Sequence, residues 1–190
     1  MDIMMKRIFA AIVLGVVISV SGFLFAQNTV TNPAEKANAQ AAIEKDQPEN
    51  VLSAAKSEED LRSFADNASR TSLKQTLESE GPFTVFAPTN KAFANCTKAE
   101  TEKLSDKSKL QMTMQNHVVQ GRALSYQDLL GMNGQKLKTI MGDELPVTVE
   151  NRVVWVGSAM ITGNEITAQN GVVHSVDEVL MPQYLYGSMK

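Results

Sequence analysis

The sequence predicts an α+β domain in which helices come first and short strands follow, and three observations carry that expectation. Between Pro48 and Leu77, the apolar residues Val51, Leu52, Leu61, Phe64, Ala65, Ala68, Leu73 and Leu77 recur at the spacing of a helix face buried on one side. Between Leu137 and Thr162, short β-prone runs are separated by turn-forming residues. Two more such runs, Phe83–Phe86 and Val172–Leu180, lie on either side of that stretch. Strands gathered after helices, with no regular alternation, argue against a doubly wound parallel sheet.

At the N-terminus, Lys6-Arg7 precedes an uncharged apolar run from Ile8 to Phe25, and Ala26-Gln27 offers a small residue at a break. A basic start, an apolar middle and a small residue at the break are the pattern of an export leader over residues 1–26. The apolar run is also nearly long enough to span a bilayer, so an uncleaved leader would anchor the chain to a membrane instead. No cysteine lies at the break, which excludes a lipid-modified anchor there. Residues 27–47 are rich in Asn, Ala, Gln, Thr and Glu, and their only large apolar residues are Val30 and Ile43. Such a segment buries too little surface to offset its conformational entropy, and it is expected to act as a flexible linker.

From Pro48 the helices begin. Ser57 with Asp60 has the spacing of a capping box, and Thr71 or Ser72 can start the next short helix. Gly81-Pro82 marks a turn, Phe83–Phe86 a strand, and Pro88 its end, after which Thr89 or Asn90 caps a helix that turns Ala92 and Phe93 onto the core. Thr97 with Glu100 is another capping signal, Ser105 opens a helix carrying Leu110 and Met114 inward, and His117-Val118-Val119 is a short strand ended by Gly121. Ser125 with Asp128 caps one more helical turn, and Asn133-Gly134 is a turn. Strands are then expected over Leu137–Ile140, Leu145–Val149, Val153–Val156 and Ala159–Thr162. The closing strand, Val172–Leu180, is apolar on both faces and so is expected to be covered on both. In the tail, 183–190, Tyr184, Leu185 and Tyr186 can pack back.

Two of these stretches carry a resemblance. Thr84-Val85-Phe86-Ala87-Pro88-Thr89, followed by Asn90 and Ala92-Phe93, resembles the first signature block of the fasciclin domain family. Asn170-Gly171-Val172-Val173-His174-Ser175-Val176-Asp177 through Pro182 is similar to its closing block, in the expected order and at the expected distance. Asn116-His117-Val118-Val119 resembles the central block, with Asn116 where the family usually has Tyr. The resemblance covers 48–182 and implies a fasciclin-like wedge, a β-sandwich of short strands flanked by several short helices. It also implies a binding function. In animal members an Asp-Ile pair ahead of the closing block takes part in integrin recognition, and the corresponding pair here is Glu165-Ile166, beside a Gly163-Asn164 turn. A carboxylate at an exposed strand edge can complete the coordination of a cation held by a partner. The resemblance gives His117 the role of fixing the central block, with Asn116 beside it.

Composition narrows the functional classes. The 190-residue chain is long enough for one domain with a real core, and its formal net charge of −3 comes without a concentrated basic patch, which excludes a nucleic-acid binder. Cys96 is the single cysteine, so no internal disulfide forms. Catalysis would have to draw on Cys96, His117, His174, Ser175 and Asp177. There is no nucleophile elbow, zinc helix or phosphate loop, and strand alternation puts Ser175 and Asp177 opposite His174. Neither Cys96 with His117 nor Cys96 with His174 has metal-ligand spacing. The expectation is an exported, non-enzymatic binding module, secreted or periplasmic, with no cofactor and no metal. Its partner is expected to be a protein or glycan on a cell surface or matrix, contacted through Glu165, Ile166, Asn116 and His117. The alternative is a carrier of a small apolar ligand, in which Met112, Met114, Met132, Met141 and Met160 line an adaptable pocket. Asn67-Ala68-Ser69 and Asn95-Cys96-Thr97 have the form of glycan acceptors.

Overall fold

The computed structural model describes residues 47–163 and 165–186. The leader, all of the linker but Gln47, and residues 187–190 lie outside them. Among the described residues no helix is long and apolar enough to cross a membrane.

Helix α1 (Val51–Ser57), a 3-10 turn (Glu59–Leu61), α2 (Arg62–Ser69) and α3 (Leu73–Leu77) precede strand β1 (Phe83–Pro88). Then come α4 (Asn90–Ala94), α5 (Lys98–Ser105), α6 (Lys107–Asn116), β2 (Val118–Gln120) and α7 (Tyr126–Leu130). The strands β3 (Lys136–Lys138), β4 (Glu144–Glu150), β5 (Val153–Val156), β6 (Ala159–Met160), β7 (Ile166–Ala168) and β8 (Gly171–Val176) follow, and α8 (Gln183–Tyr186) closes the described chain. This is the predicted α+β arrangement.

Two four-stranded sheets, ordered β2-β1-β8-β7 and β3-β4-β5-β6, form the β part. The signature blocks are neighbours: β1 and β8 run parallel, in register from Phe83↔Gly171 to Pro88↔Val176. Both strands are covered on both faces, and all six residues of β1 are buried. Phe83, Val85 and Val173 meet Phe64, Leu77 and Met114 beneath the helices. Phe86 and Val176 meet Val147, Val154 and Val156 of the second sheet. The sheets are stitched at both ends, by Ile140 N–H on the Val118 carbonyl (2.8 Å) and by a bridge between Ile161 and Val176.

The central pair needs glycine at its base. A Cβ on Gly171 would lie 2.2 Å from the Phe83 carbonyl oxygen, and one on Gly81 would lie 2.0 Å from that of Asn170. Asparagines in the two blocks tie the central pair to the helices, Asn170 at this base and Asn90 beyond the other end of β1. Asn170 accepts from Val51 N–H (2.8 Å) and donates to the Leu77 (2.9 Å) and Ser79 (2.8 Å) carbonyls. Asn90 accepts from Ser63 N–H (2.9 Å) and donates to the Glu59 carbonyl (2.8 Å).

Thr89, Thr97 and Ser125 cap their helices as expected, the last two in full capping boxes with Glu100 and Asp128. Four local expectations are corrected. Ser57 does not open a helix but ends α1, its hydroxyl donating back to the Ala54 carbonyl (2.7 Å); the capping box in this region is Asn50 with Ser53. Ser105 is likewise a last helical residue, and Asp106 caps α6 by accepting from Lys109 N–H (3.0 Å). The closing strand stops at Val176, short of Leu180. A further strand, β7, is not among the expected ones and forms because β8 pairs with it from Ile166↔Val173 to Ala168↔Gly171.

Candidate functional site

The chemistry-bearing side chains of the central and closing blocks lie inside the fold. His117 follows α6 and is fully buried. Its Nδ1 lies 2.7 Å from the Thr113 carbonyl, which can only accept, so the proton is on Nδ1; Nε2 then accepts from Leu180 N–H (2.9 Å). Burial pushes its pKa down to about 4, and the Thr113 carbonyl opposes this only partly. Asn116, equally buried, donates to the Leu180 carbonyl (3.1 Å) and accepts from the Thr139 hydroxyl (3.1 Å). Together the two residues hold both polar backbone groups of Leu180, which lies in a buried stretch without regular structure. A backbone amide in such a place needs partners of this kind.

His174 occupies the layer between the sheets, stacked on Phe86 with ring centroids 5.8 Å apart. Its Nε2–H donates to the Leu124 carbonyl (2.8 Å), and its buried Nδ1 has no hydrogen-bond partner. Burial lowers its pKa, while the Leu124 carbonyl and the Glu165 carboxylate act in the opposite direction. The bond to Leu124 fixes a strap over residues 121–126. Thr84 holds the same strap, donating to the Arg122 carbonyl (2.8 Å) and accepting from Leu124 N–H (2.9 Å). Glu165, on the surface, accepts from Tyr126 N–H (2.6 Å), and the Tyr126 hydroxyl donates to the Arg152 carbonyl (2.8 Å). Ile166 is half-buried against the helical core cluster.

The four residues predicted to contact a partner therefore divide by depth. Asn116 and His117 are interior clamps on Leu180, and Glu165 is exposed at the start of the edge strand with Ile166 beneath it. Thr84, Leu124 and Tyr126 join Glu165 in one network that sequence reasoning missed. The signal available was the buried Thr84 inside an otherwise apolar run.

Of the remaining catalytic candidates, Asp177 accepts from Met160 N–H (2.7 Å), and Ser175 follows His174 on the opposite face of the strand. Cys96 is half-buried, donates to the Ala92 carbonyl, and has its thiol pKa raised by burial and by Glu100, the reverse of an activated thiolate. Among the described residues no group of three or more His, Cys, Asp or Glu is placed to hold a metal ion. Met114 and Met132 are core residues.

Comparison with known proteins agrees with this geometry. A family profile described as Fasciclin domain matches residues 59–182. The chain is 29% identical over 171 residues to protein sll1483 of Synechocystis sp., covering 86% of this chain and 93% of that protein. It is 38% identical to the transforming growth factor-beta-induced protein ig-h3 of Sus scrofa over 58% of this chain, and 31% identical to Homo sapiens periostin over 66%. It spans only 16% and 15% of those two proteins. A solved structure of a FAS1 domain pair from the insect cell adhesion molecule fasciclin I superposes with a TM-score of 0.59 at 18% identity, covering 73% of this chain and 53% of that one. With both signature blocks paired strand to strand and the profile matching across them, the chain belongs to the fasciclin domain family.

Proposed function

We propose that the chain is an exported, non-enzymatic binding module that mediates adhesion to a protein or glycan on a cell surface or matrix. In this reading residues 1–26 direct export or anchor the chain, 27–47 form a linker, 48–182 form the binding domain and 183–190 a tail. The observation that carries the proposal is that His117, His174, Asn116 and Thr84 each hydrogen-bond a backbone group of the fold itself. The fold's polar chemistry thus maintains its shape, and contact is left to the surface. The adhesion molecule whose FAS1 pair shares the fold supports the same reading.

Glu165 and Ile166 are the proposed contact point, with Asn116 and His117 supporting the surface from within. Beads coated with the protein should adhere to at least one cell-surface or matrix preparation above beads carrying an unrelated protein of similar charge. Glu165→Gln keeps an oxygen acceptor for Tyr126 N–H but removes the charge, so it should weaken adhesion several-fold without lowering the melting temperature. Adhesion no better than the control across cell and matrix preparations would remove the proposal.

A further inference from the structure

We propose a second binding site, independent of the adhesion reading, for a small single-ring aromatic amine, in the pocket beside Asn116. The pocket has a volume of about 340 Å³, within the range of small-ligand sites. Asn116, Asp143, Leu145, Gly157, Leu180 and Met181 contribute to its lining.

Its apolar walls are built and held. Gly157 allows the leucines to approach: a Cβ there would lie 3.2 Å from a δ-methyl of Leu180 and 3.5 Å from one of Leu145. Met181 is held by the Thr113 hydroxyl on its sulfur (3.7 Å), and Leu180 by His117 and Asn116. A fixed thioether and leucine methyls suit the face and edge of an aromatic ring.

The polar groups define the ligand's other end. Asn116 lines the pocket with its amide engaged at both heavy atoms, by the Leu180 carbonyl and the Thr139 hydroxyl. Asp143 uses one carboxylate oxygen to accept from Gln183 N–H (3.1 Å), leaving the other available. Glu144 also lines the pocket, and its charge is balanced by Lys136 at 3.0 Å. The Asp143 carboxylate at the pocket favours a cation and opposes a carboxylate. The size, apolar walls and unbalanced carboxylate together select a ring bearing an ammonium group.

Asn116 also supplies a blocking variant, because a Tyr at this position fills space that the shorter amide leaves open. The test is an NMR titration of the isotopically labelled full chain with phenethylamine, phenethyl alcohol and phenylacetate. Phenethylamine should shift the amides of Leu145, Gly157, Leu180 and Met181 saturably, with phenylacetate binding far more weakly. Asp143→Asn retains an acceptor for Gln183 N–H, and it should weaken phenethylamine about fivefold while leaving phenethyl alcohol unchanged. Asn116→Tyr should abolish the shifts while the dispersion of the remaining spectrum is kept. The assignment is overturned by absence of saturable shifts at these amides, by equal binding of phenylacetate, or by an Asp143→Asn variant that binds phenethylamine as well as the parent does. The last comparison decides the matter even if Asn116→Tyr does not fold.

Discussion

His117 and His174 are both buried but are expected to carry their protons on different nitrogens. His117 donates from Nδ1 to Thr113 and accepts at Nε2, whereas His174 donates from Nε2 to Leu124 and leaves Nδ1 bare. Two-bond nitrogen–proton NMR at neutral pH should show opposite tautomers, and two identical patterns would contradict the hydrogen bonding described. Their titration also bears on stability. His117 ionises near 6.5 when unfolded and about 4 when folded, so its contribution is complete above pH 6.5 and is lost as the pH falls toward 4. The loss over that window is on the order of 3 kcal/mol, and His174, lowered for the same reason, adds in the same direction. Urea unfolding at pH 7 and pH 5 checks this, since most carboxylates stay ionised over that interval; an unchanged free energy counts against it. These roles were only partly legible in the sequence. A histidine between a helix and a Val-Val strand announces burial, but the backbone it serves, Leu180, lies 63 residues away. Asn116 is harder still, because an amide's partner leaves no mark on local spacing.

At the scale of elements, capping chemistry was legible at Thr97 and Ser125, whose own backbone is extended, but not at Asn50 and Asp106, which are extended caps too. Thr97 and Ser125 have φ, ψ of −62°, 162° and −70°, 165°, and each closes its box with an acidic residue three positions on. Ser57 has the same spacing to Asp60 but already belongs to a running helix, so its hydroxyl can only turn back. Ser125→Ala should therefore cost about 1 kcal/mol, and Ser57→Ala much less. Paired chemical denaturation of the two variants tests the distinction, and equal losses would refute it. Strands β4 and β5 were legible because burial alternates along them, whereas β7 was not. Its three residues include only one large apolar side chain, and pairing with β8 makes them a strand.

Across the whole molecule, the tail contributes more than the family match suggests. The match ends at residue 182, yet Leu185 is 3% exposed against Ala92, Val179 and Met181, and the Lys103 ammonium donates to its carbonyl (2.6 Å). Leu185→Ala should lower the unfolding free energy by about 2 kcal/mol; a loss within error of zero would show the tail dispensable. Gly171→Ala tests the central seam. Backbone atoms of Phe83 stand where the methyl would go, so a loss of about 2 kcal/mol or more is expected, measured as the urea midpoint at constant m-value.

That seam also bears on how the chain matures. Strand β1 is synthesised early, but its parallel neighbour ends at Val176. A nascent polypeptide halted before that point has the apolar run Phe83–Phe86 without its principal partner, however well the helices upstream have formed. Closure over so long a loop is slow, and an unpaired apolar strand can pair with other chains while it waits. Folding of this domain is accordingly a late event governed by its last strand, and carboxy-terminal truncations that remove β8 are expected to aggregate.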